Sequence, residues 1–282
     1  MNRTFLILIM LLCCILDKAQ VAAQGRTGIL LVHYGTQNDK SRAATIDLLN
    51  SRVASEFPDC RVREAYVAQA VVKALGKRGI AKLSVAQAMD SLKAEGCNRI
   101  VVQTTMLLDG VMTDIMRRDV ESRREGLEAV TVGRPLLYTV DDCRTLVDMI
   151  ARNIKADGSL PQKDAQVVLV GHGSDSPANA IYSQIDYLAK DEGRAMWHVG
   201  TIEGYPSIGC VERRLKLSKA KNVILVPLLY IAGNHQKEDI DGAWRKQLTA
   251  DGYRVSVVGR GLGEMREVQD MIIESIRKNI GK

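Results

Sequence analysis

The sequence predicts an α/β protein made of two duplicated domains, each a mostly parallel sheet flanked by helices, with a ligand cleft between them. Three observations lead there. A chain of 282 residues has room for two domains of ordinary size. Short β-branched runs alternate with amphipathic stretches, the grammar of repeated strand–helix–strand units around a parallel sheet. Three motifs also recur in the same order. Gly28-Ile29-Leu30-Leu31-Val32-His33-Tyr34-Gly35-Thr36 is answered by Gln166-Val167-Val168-Leu169-Val170-Gly171-His172-Gly173-Ser174. Arg99 to Gln103, leading to Leu107-Leu108-Asp109-Gly110, is answered by Asn222 to Val226, leading to Tyr230-Ile231-Ala232-Gly233. Val132-Gly133-Arg134-Pro135-Leu136 is answered by Val258-Gly259-Arg260-Gly261-Leu262.

The elements follow in chain order. Residues 1–23 predict a secretory signal peptide: a basic start at Arg3, an apolar run from Phe5 to Leu16, and small residues before a cleavage after Ala23. The protein is therefore expected outside the cytoplasm, in the periplasm. Lipoprotein anchoring through Cys13 or Cys14 is the rival reading, although both lie inside the apolar run rather than at its end. That run is too short to span a bilayer comfortably and nothing later approaches it, so no stable membrane span is expected. The first domain, residues 24–158, has strands near Gly28–His33, Arg61–Val67, Arg99–Met106 and Ala129–Val132. Its helices fall near Ser41–Glu56, Ala70–Lys77, Ser84–Glu95, Met112–Glu125 and Asp141–Ile154. Ala156-Asp157-Gly158-Ser159-Leu160-Pro161 has the turn-rich composition of a linker. The second domain, residues 159–282, repeats the pattern with strands near Gln166–Gly171, Trp197–Ile202, Asn222–Tyr230 and Arg254–Val258. Its helices are expected at Pro177–Lys190, Pro206–Ser218, Lys237–Ala250 and Glu264–Ile280.

Composition narrows the function classes. Hydrophobic residues at 46% with only 6 Pro and 23 Gly exclude a disordered, collagen-like or low-complexity chain. Lys plus Arg exceed Asp plus Glu by 39 to 33 without a long like-charge block, which suits an anionic small ligand as well as it suits nucleic acid. No recognition helix or base-stacking motif appears, and nucleic-acid binding drops out. Cys60, Cys97, Cys143 and Cys210 are too far apart for a zinc knuckle or a redox Cys-x-x-Cys, so buried free thiols are expected, with a disulfide open to them in an oxidising compartment. There is no phosphate loop, no Gly-x-Gly-x-x-Gly after the first strand and no Gly-x-Ser-x-Gly elbow. Nucleotide use and serine hydrolysis lose support accordingly.

Sheets of this kind hold ligands at the carboxyl ends of their strands. In the second domain three such ends carry a metal-binding side chain: His172 after the first strand, Glu203 after the second and His235 after the third. Their separations of 31 and 32 residues are each about one strand-plus-helix unit, so all three return to one edge. Two imidazoles and a carboxylate suit Co²⁺, Fe²⁺, Ni²⁺ or Zn²⁺, and three protein ligands leave positions open for exchange or catalysis. His198 lies within a strand and reads as structural, whereas His33, ending the first strand of the first domain, is equally compatible with the core and with the cleft.

At these residues the sequence resembles the anaerobic sirohydrochlorin cobaltochelatases, a group of the class II tetrapyrrole chelatases. The resemblance runs from about Gly28 to Lys282. It is carried by Val170-Gly171-His172-Gly173, Glu203-Gly204-Tyr205-Pro206, Val226-Pro227-Leu228-Leu229 with Ala232-Gly233-Asn234-His235, and Gly261-Leu262-Gly263-Glu264. It implies flavodoxin-like, chelatase-type domains with the active cleft between them, and metal ligands at His172, Glu203 and His235, with His172 catalytic. The implied reaction inserts Co²⁺, or Fe²⁺, into sirohydrochlorin without a nucleotide, in cobalamin and tetrapyrrole biosynthesis. Tyr34 and Thr36 beside the cleft, and Met106, are the expected substrate-binding residues. Met106 and Asn234 depart from the family pattern, which has a histidine and usually an aspartate there, and a thioether can bind haem iron. The alternative is thus an exported protein that binds haem or another metallated tetrapyrrole for uptake, with or without removing the metal. A plain metal-binding protein is a third class. Homo-oligomerisation is open.

Overall fold

The computed structural model describes residues 26–161 and 163–280. The expected leader, with Cys13 and Cys14, lies outside the described residues. Among the described residues, eight strands form two four-stranded, wholly parallel sheets of identical order. The first contains β1 (Arg26–His33), β2 (Arg61–Tyr66), β3 (Cys97–Thr104) and β4 (Ala129–Val132) in the order β2-β1-β3-β4. The second contains β5 (Ala165–Gly171), β6 (Trp197–Thr201), β7 (Asn222–Leu228) and β8 (Arg254–Val257) in the order β6-β5-β7-β8. In each, the chain reverses direction across the sheet between the first and third strands, which opens a crevice at their carboxyl ends.

The alternation of side chains along a strand divides the core. In β1, Ile29 and Leu31 join a large apolar cluster common to both halves, and Leu30 and Val32 join one confined to the first half. In β5, Val167 and Leu169 join the common cluster, and Val168 and Val170 join one confined to the second half. Both central strands are therefore covered on both faces, as their unbroken apolar runs require.

Besides a single α-turn at Asp39–Arg42, the helices of the first half are α1 (Leu48–Glu56), α2 (Gln69–Lys77), α3 (Val85–Ala94), α4 (Val111–Glu121) and α5 (Val140–Ala156). Those of the second are α6 (Ala180–Asp191), α7 (Ile208–Leu215), α8 (Arg245–Ala250) and α9 (Arg266–Ile280). Helix starts follow local chemistry: Ser84 with Gln87 and Thr139 with Asp142 form capping boxes for α3 and α5. Two expected helices are not α throughout. Ser41–Glu56 contains a π-helical turn at Ala43–Asp47, and Lys237–Ala250 opens with a π-helix at Gln236–Trp244. Ile240, Trp244 and Leu248 are all buried, and their spacing of four fits either helix type, so the apolar pattern cannot distinguish them.

The last helix of each half packs on the other half. Helix α5 buries Cys143, Leu146, Val147 and Ile150 in the common core and lies along α6. Arg144 pairs with Glu192 at 2.5 Å, and Asp148 with Arg194. Helix α9 buries Val268, Ile272, Ile273 and Ile276 and packs on β3, β4 and α1. Its polar side is held by Arg52 to Asp270 at 2.5 Å, by Ser275 to Gln103 at 2.7 Å, and by Arg277 to Glu56. The linker is part of the core as well, since Leu160 is buried in the common cluster. No helix among the described residues is long and apolar enough to cross a membrane. Cys60, Cys97, Cys143 and Cys210 stand as free thiols, the last three buried.

His198 is buried in β6 with Nε2 against Gln166 Oε1 at 3.1 Å, the structural role expected of it. His33 is likewise a core residue and does not face the cleft. It is fully buried, with Nδ1 at 3.0 Å from Thr105 Oγ1 and Nε2 at 3.1 Å from Asn50 Oδ1. Burial lowers the pKa of both rings to about 4. Both therefore stay neutral in the fold and gain a proton on unfolding between about pH 4 and the unperturbed 6.5. Stability is fully present above that window and falls as the pH drops through it, by about 2 kcal/mol per ring at pH 5. Urea unfolding at pH 7.5 and pH 5 checks this: the midpoint should fall, with an uptake approaching two protons, and a flat profile would contradict the buried neutral state.

Candidate metal-binding site

The carboxyl ends of β5 and β7 flank the crevice of the second sheet, and each is followed by one of the expected histidines. His172 comes immediately after β5. Behind it, Gly171 packs against the ring of Tyr182, which leaves no room for a side chain there. Gly173, ahead of it, has φ +95°, and an added Cβ would lie 1.3 Å from the backbone oxygen of Glu203. The Gly-His-Gly run is thus dictated by sterics on both sides of the imidazole. His235 immediately precedes the π-helix that follows β7.

The fold brings these two rings together. Their centroids are 4.8 Å apart and their planes meet at 86°. His172 Nδ1 lies 3.2 Å from Gly173 O, and His235 Nδ1 lies 2.8 Å from Asp239 Oδ2. A carbonyl or carboxylate oxygen accepts here, so both Nδ1 atoms donate, and in the neutral form of each ring the lone pair lies on Nε2. Two neighbouring imidazoles with free Nε2 atoms form a ready pair of donors for a divalent ion.

Glu203 departs from the expected trio. It follows β6, an edge strand, and its backbone N donates to His172 O at 2.7 Å. Its side chain is exposed, and among the described residues no set of three His, Cys, Asp or Glu side chains is close enough to hold a metal ion. Sequence spacing brings the backbone of position 203 to the site, whereas the direction of a long exposed side chain is set by rotamer choice. The loop itself is fixed by Asn179, which accepts from Ser174 N at 2.9 Å and donates to Tyr205 O at 2.6 Å.

The strand ends of the first half face this edge. Ser41 Oγ donates to Ala232 O at 2.5 Å, and the Thr36 hydroxyl lies by Gly233, just before His235. Gly110, at the start of α4, lies by Ser176 of the loop after β5. Tyr34 is 49% exposed shortly before Thr36, Val111 is exposed as the first residue of α4, and Tyr205 is exposed on the loop after β6. Met106 is half-buried against the first-half core, where its sulfur accepts from Thr104 Oγ1 at 3.1 Å. Sequence reasoning missed Asp239, Asn179 and Tyr182. Only Asp239 left a signal, four residues after His235 at a helix start. Replacing Gly173 with Ala should displace the Glu203 loop and destabilise the protein by about 2 kcal/mol or more, with loss of Co²⁺ binding; unchanged thermal unfolding and binding would contradict this packing.

Comparisons with known proteins agree with this architecture. The cobalt chelatase (CbiK) family profile matches residues 27–281. The sirohydrochlorin cobaltochelatase CbiKC of Nitratidesulfovibrio vulgaris is 29% identical over 257 residues, covering 89% of each chain. The sirohydrochlorin cobaltochelatase of Salmonella typhimurium is 26% identical over 258 residues, covering 90% of this chain and 96% of its own. Among solved structures, SirB of Bacillus subtilis with Fe³⁺ superimposes with a TM-score of 0.67 at 18% identity, covering 90% of this chain and 95% of its own. SirB of Bacillus subtilis subspecies spizizenii in complex with cobalt gives 0.64 at 17% identity, covering 90% and 94%. These two support the fold, the duplicated parallel-sheet arrangement expected from the sequence. The match to the family profile spans nearly every described residue, and this chain belongs to the cobalt chelatase (CbiK) family.

Proposed function

We propose that this protein is a sirohydrochlorin cobaltochelatase, inserting Co²⁺, with Fe²⁺ as a second substrate ion, into the macrocycle without a nucleotide. The observation that carries the reading is the His172–His235 pair, whose rings lie 4.8 Å apart at the crevice of the second sheet. At the strand ends of the first half, Tyr34 after β1 and Val111 after β3 are exposed apolar groups of the kind a flat macrocycle would cover. The metal is a substrate here, so its site must hold the ion and then release it. His172 and His235 bind through Nε2, and Glu203 joins them by turning its exposed side chain inward. Thr36 and Met106 border the space for the macrocycle.

Insertion exchanges two pyrrole N–H protons for one divalent ion, so charge is conserved if a base removes both protons. When the ion passes from His172 Nε2 to the pyrrole nitrogens, that nitrogen regains its lone pair and can take a proton at the same position. His172 is half-exposed and can pass each proton to solvent before taking the next. Replacing His172 with Ala should abolish multiple-turnover metal insertion, followed by absorbance with sirohydrochlorin and Co²⁺ or Fe²⁺, and leave the fold and macrocycle binding largely intact. Undiminished turnover in that variant would remove the assignment.

Binding of haem for uptake is the second reading, favoured by Met106 at a position where the family has histidine. It requires a Soret shift on haem addition that Met106→Ala alters, in a protein with no insertion activity. Export to the periplasm is part of the proposal and rests on residues 1–23. The mass of the protein recovered from its producing cells should correspond to a chain starting at Gln24, and a retained Met1 would refute processing.

A further inference from the structure

We propose that Asp239 is a positioning residue for metal capture: its carboxylate holds His235 in the Nδ1–H form and aims the free Nε2 at the cleft beside His172. The inference rests on the reading of His235 as a metal ligand and goes beyond it in assigning the group that orients the ring. The two histidines are held differently. His172 is oriented by a neutral backbone carbonyl on its own loop, at 3.2 Å, with its backbone fixed between Gly171 and Gly173. His235 lies between Asn234 and Gln236 rather than between glycines, and its side chain is 49% exposed. Its edge-on contact with the His172 ring, at 4.8 Å between centroids, does not by itself select a tautomer. Asp239 Oδ2, at 2.8 Å, is the one hydrogen-bond partner recorded for that ring among the described residues.

The backbone makes the partnership possible. His235 and Asp239 stand at the start of the π-helix Gln236–Trp244, whose inner side is fixed by buried Ile240 and Trp244. Asp239 is thereby anchored through its neighbour, and its carboxylate is only one-third exposed. Simple helix stabilisation is the competing role, because an acidic residue in a first turn favours the helix and an exposed ion pair contributes little. The two roles differ in what they affect. A helix-stabilising carboxylate changes the unfolding temperature, whereas a carboxylate behind a metal-ligating imidazole changes the tautomer and the metal affinity, the latter by roughly 10- to 100-fold.

The test uses the purified protein with Co²⁺ alone. The chain has 4 histidines, so a two-bond ¹H–¹⁵N spectrum can be assigned by single replacements. The wild-type protein should show His235 in the Nδ1–H form. In Asp239→Ala that preference should disappear, and Co²⁺ affinity, read from the visible absorption of the bound ion, should fall by roughly 10- to 100-fold. Asp239→Glu should recover part of the loss. Should Asp239→Ala fail to fold, Asp239→Asn supplies the same reading, with a neutral acceptor and an intermediate affinity. Wild-type Co²⁺ affinity in folded Asp239→Ala or Asp239→Asn, or an Nε2–H form of His235 in the wild type, would overturn the proposal. His235→Ala separates the two levels. If it binds Co²⁺ as the wild type does, the ligand assignment of His235 fails and takes the positioning role with it. If it loses Co²⁺ while Asp239→Ala retains it, only the positioning role falls.

Discussion

The reciprocal packing of α5 and α9 is the constraint on which the rest of the molecule depends. Each helix completes its own half in sequence and covers the other half in space. Their buried faces, Cys143 to Ile150 and Val268 to Ile276, meet in one apolar cluster with Ile29, Leu31, Val167 and Leu169. Burying a side chain such as Ile272 or Leu146 contributes about 1.5–3 kcal/mol, so the shared core greatly outweighs the exposed ion pairs along its rim. Separating the halves would expose that cluster. The two sheet edges are consequently held facing one another, which lets Ser41 reach Ala232 and Gly110 reach Ser176.

On this frame the duplicated halves have diverged through small changes at equivalent positions. His33 and Gly171 match in the repeat, and so do Tyr34 and His172. One residue along a strand reverses the direction of a side chain. His33, still within β1, is buried with Thr105 and Asn50, whereas His172, one residue beyond the end of β5, reaches the cleft edge. The same scaffold thus gives a neutral core imidazole on one side and a candidate metal ligand on the other. Exposed Tyr34 and candidate ligand His172 occupy matching positions in the two copies of one motif.

Much of this was legible in the sequence. Eight strands and most helices lay close to their expected places because continuous apolar runs and heptad-like spacings, such as 143, 146, 147 and 150, admit few alternatives. The π-helical segments were not legible, because residues spaced four apart satisfy both helix types. The backbones of His172, Glu203 and His235 were brought to one edge by unit spacing alone. The Glu203 side chain and the orientation of each ring were not, because they depend on partners distant in space or on rotamers.

The sequence by itself determined the duplicated α/β architecture, the edge at which the candidate ligands gather and the residue types available there, because these follow from local periodicity and from repetition of a strand–helix unit. Only the tertiary structure decided that His33 belongs to the core, that α5 and α9 exchange halves and that Asp239 stands behind His235. Those outcomes turn on which surfaces meet and on the direction of individual side chains. Both are fixed by packing between segments that the linear order of residues leaves far apart, or by a helical turn whose type local pattern does not specify.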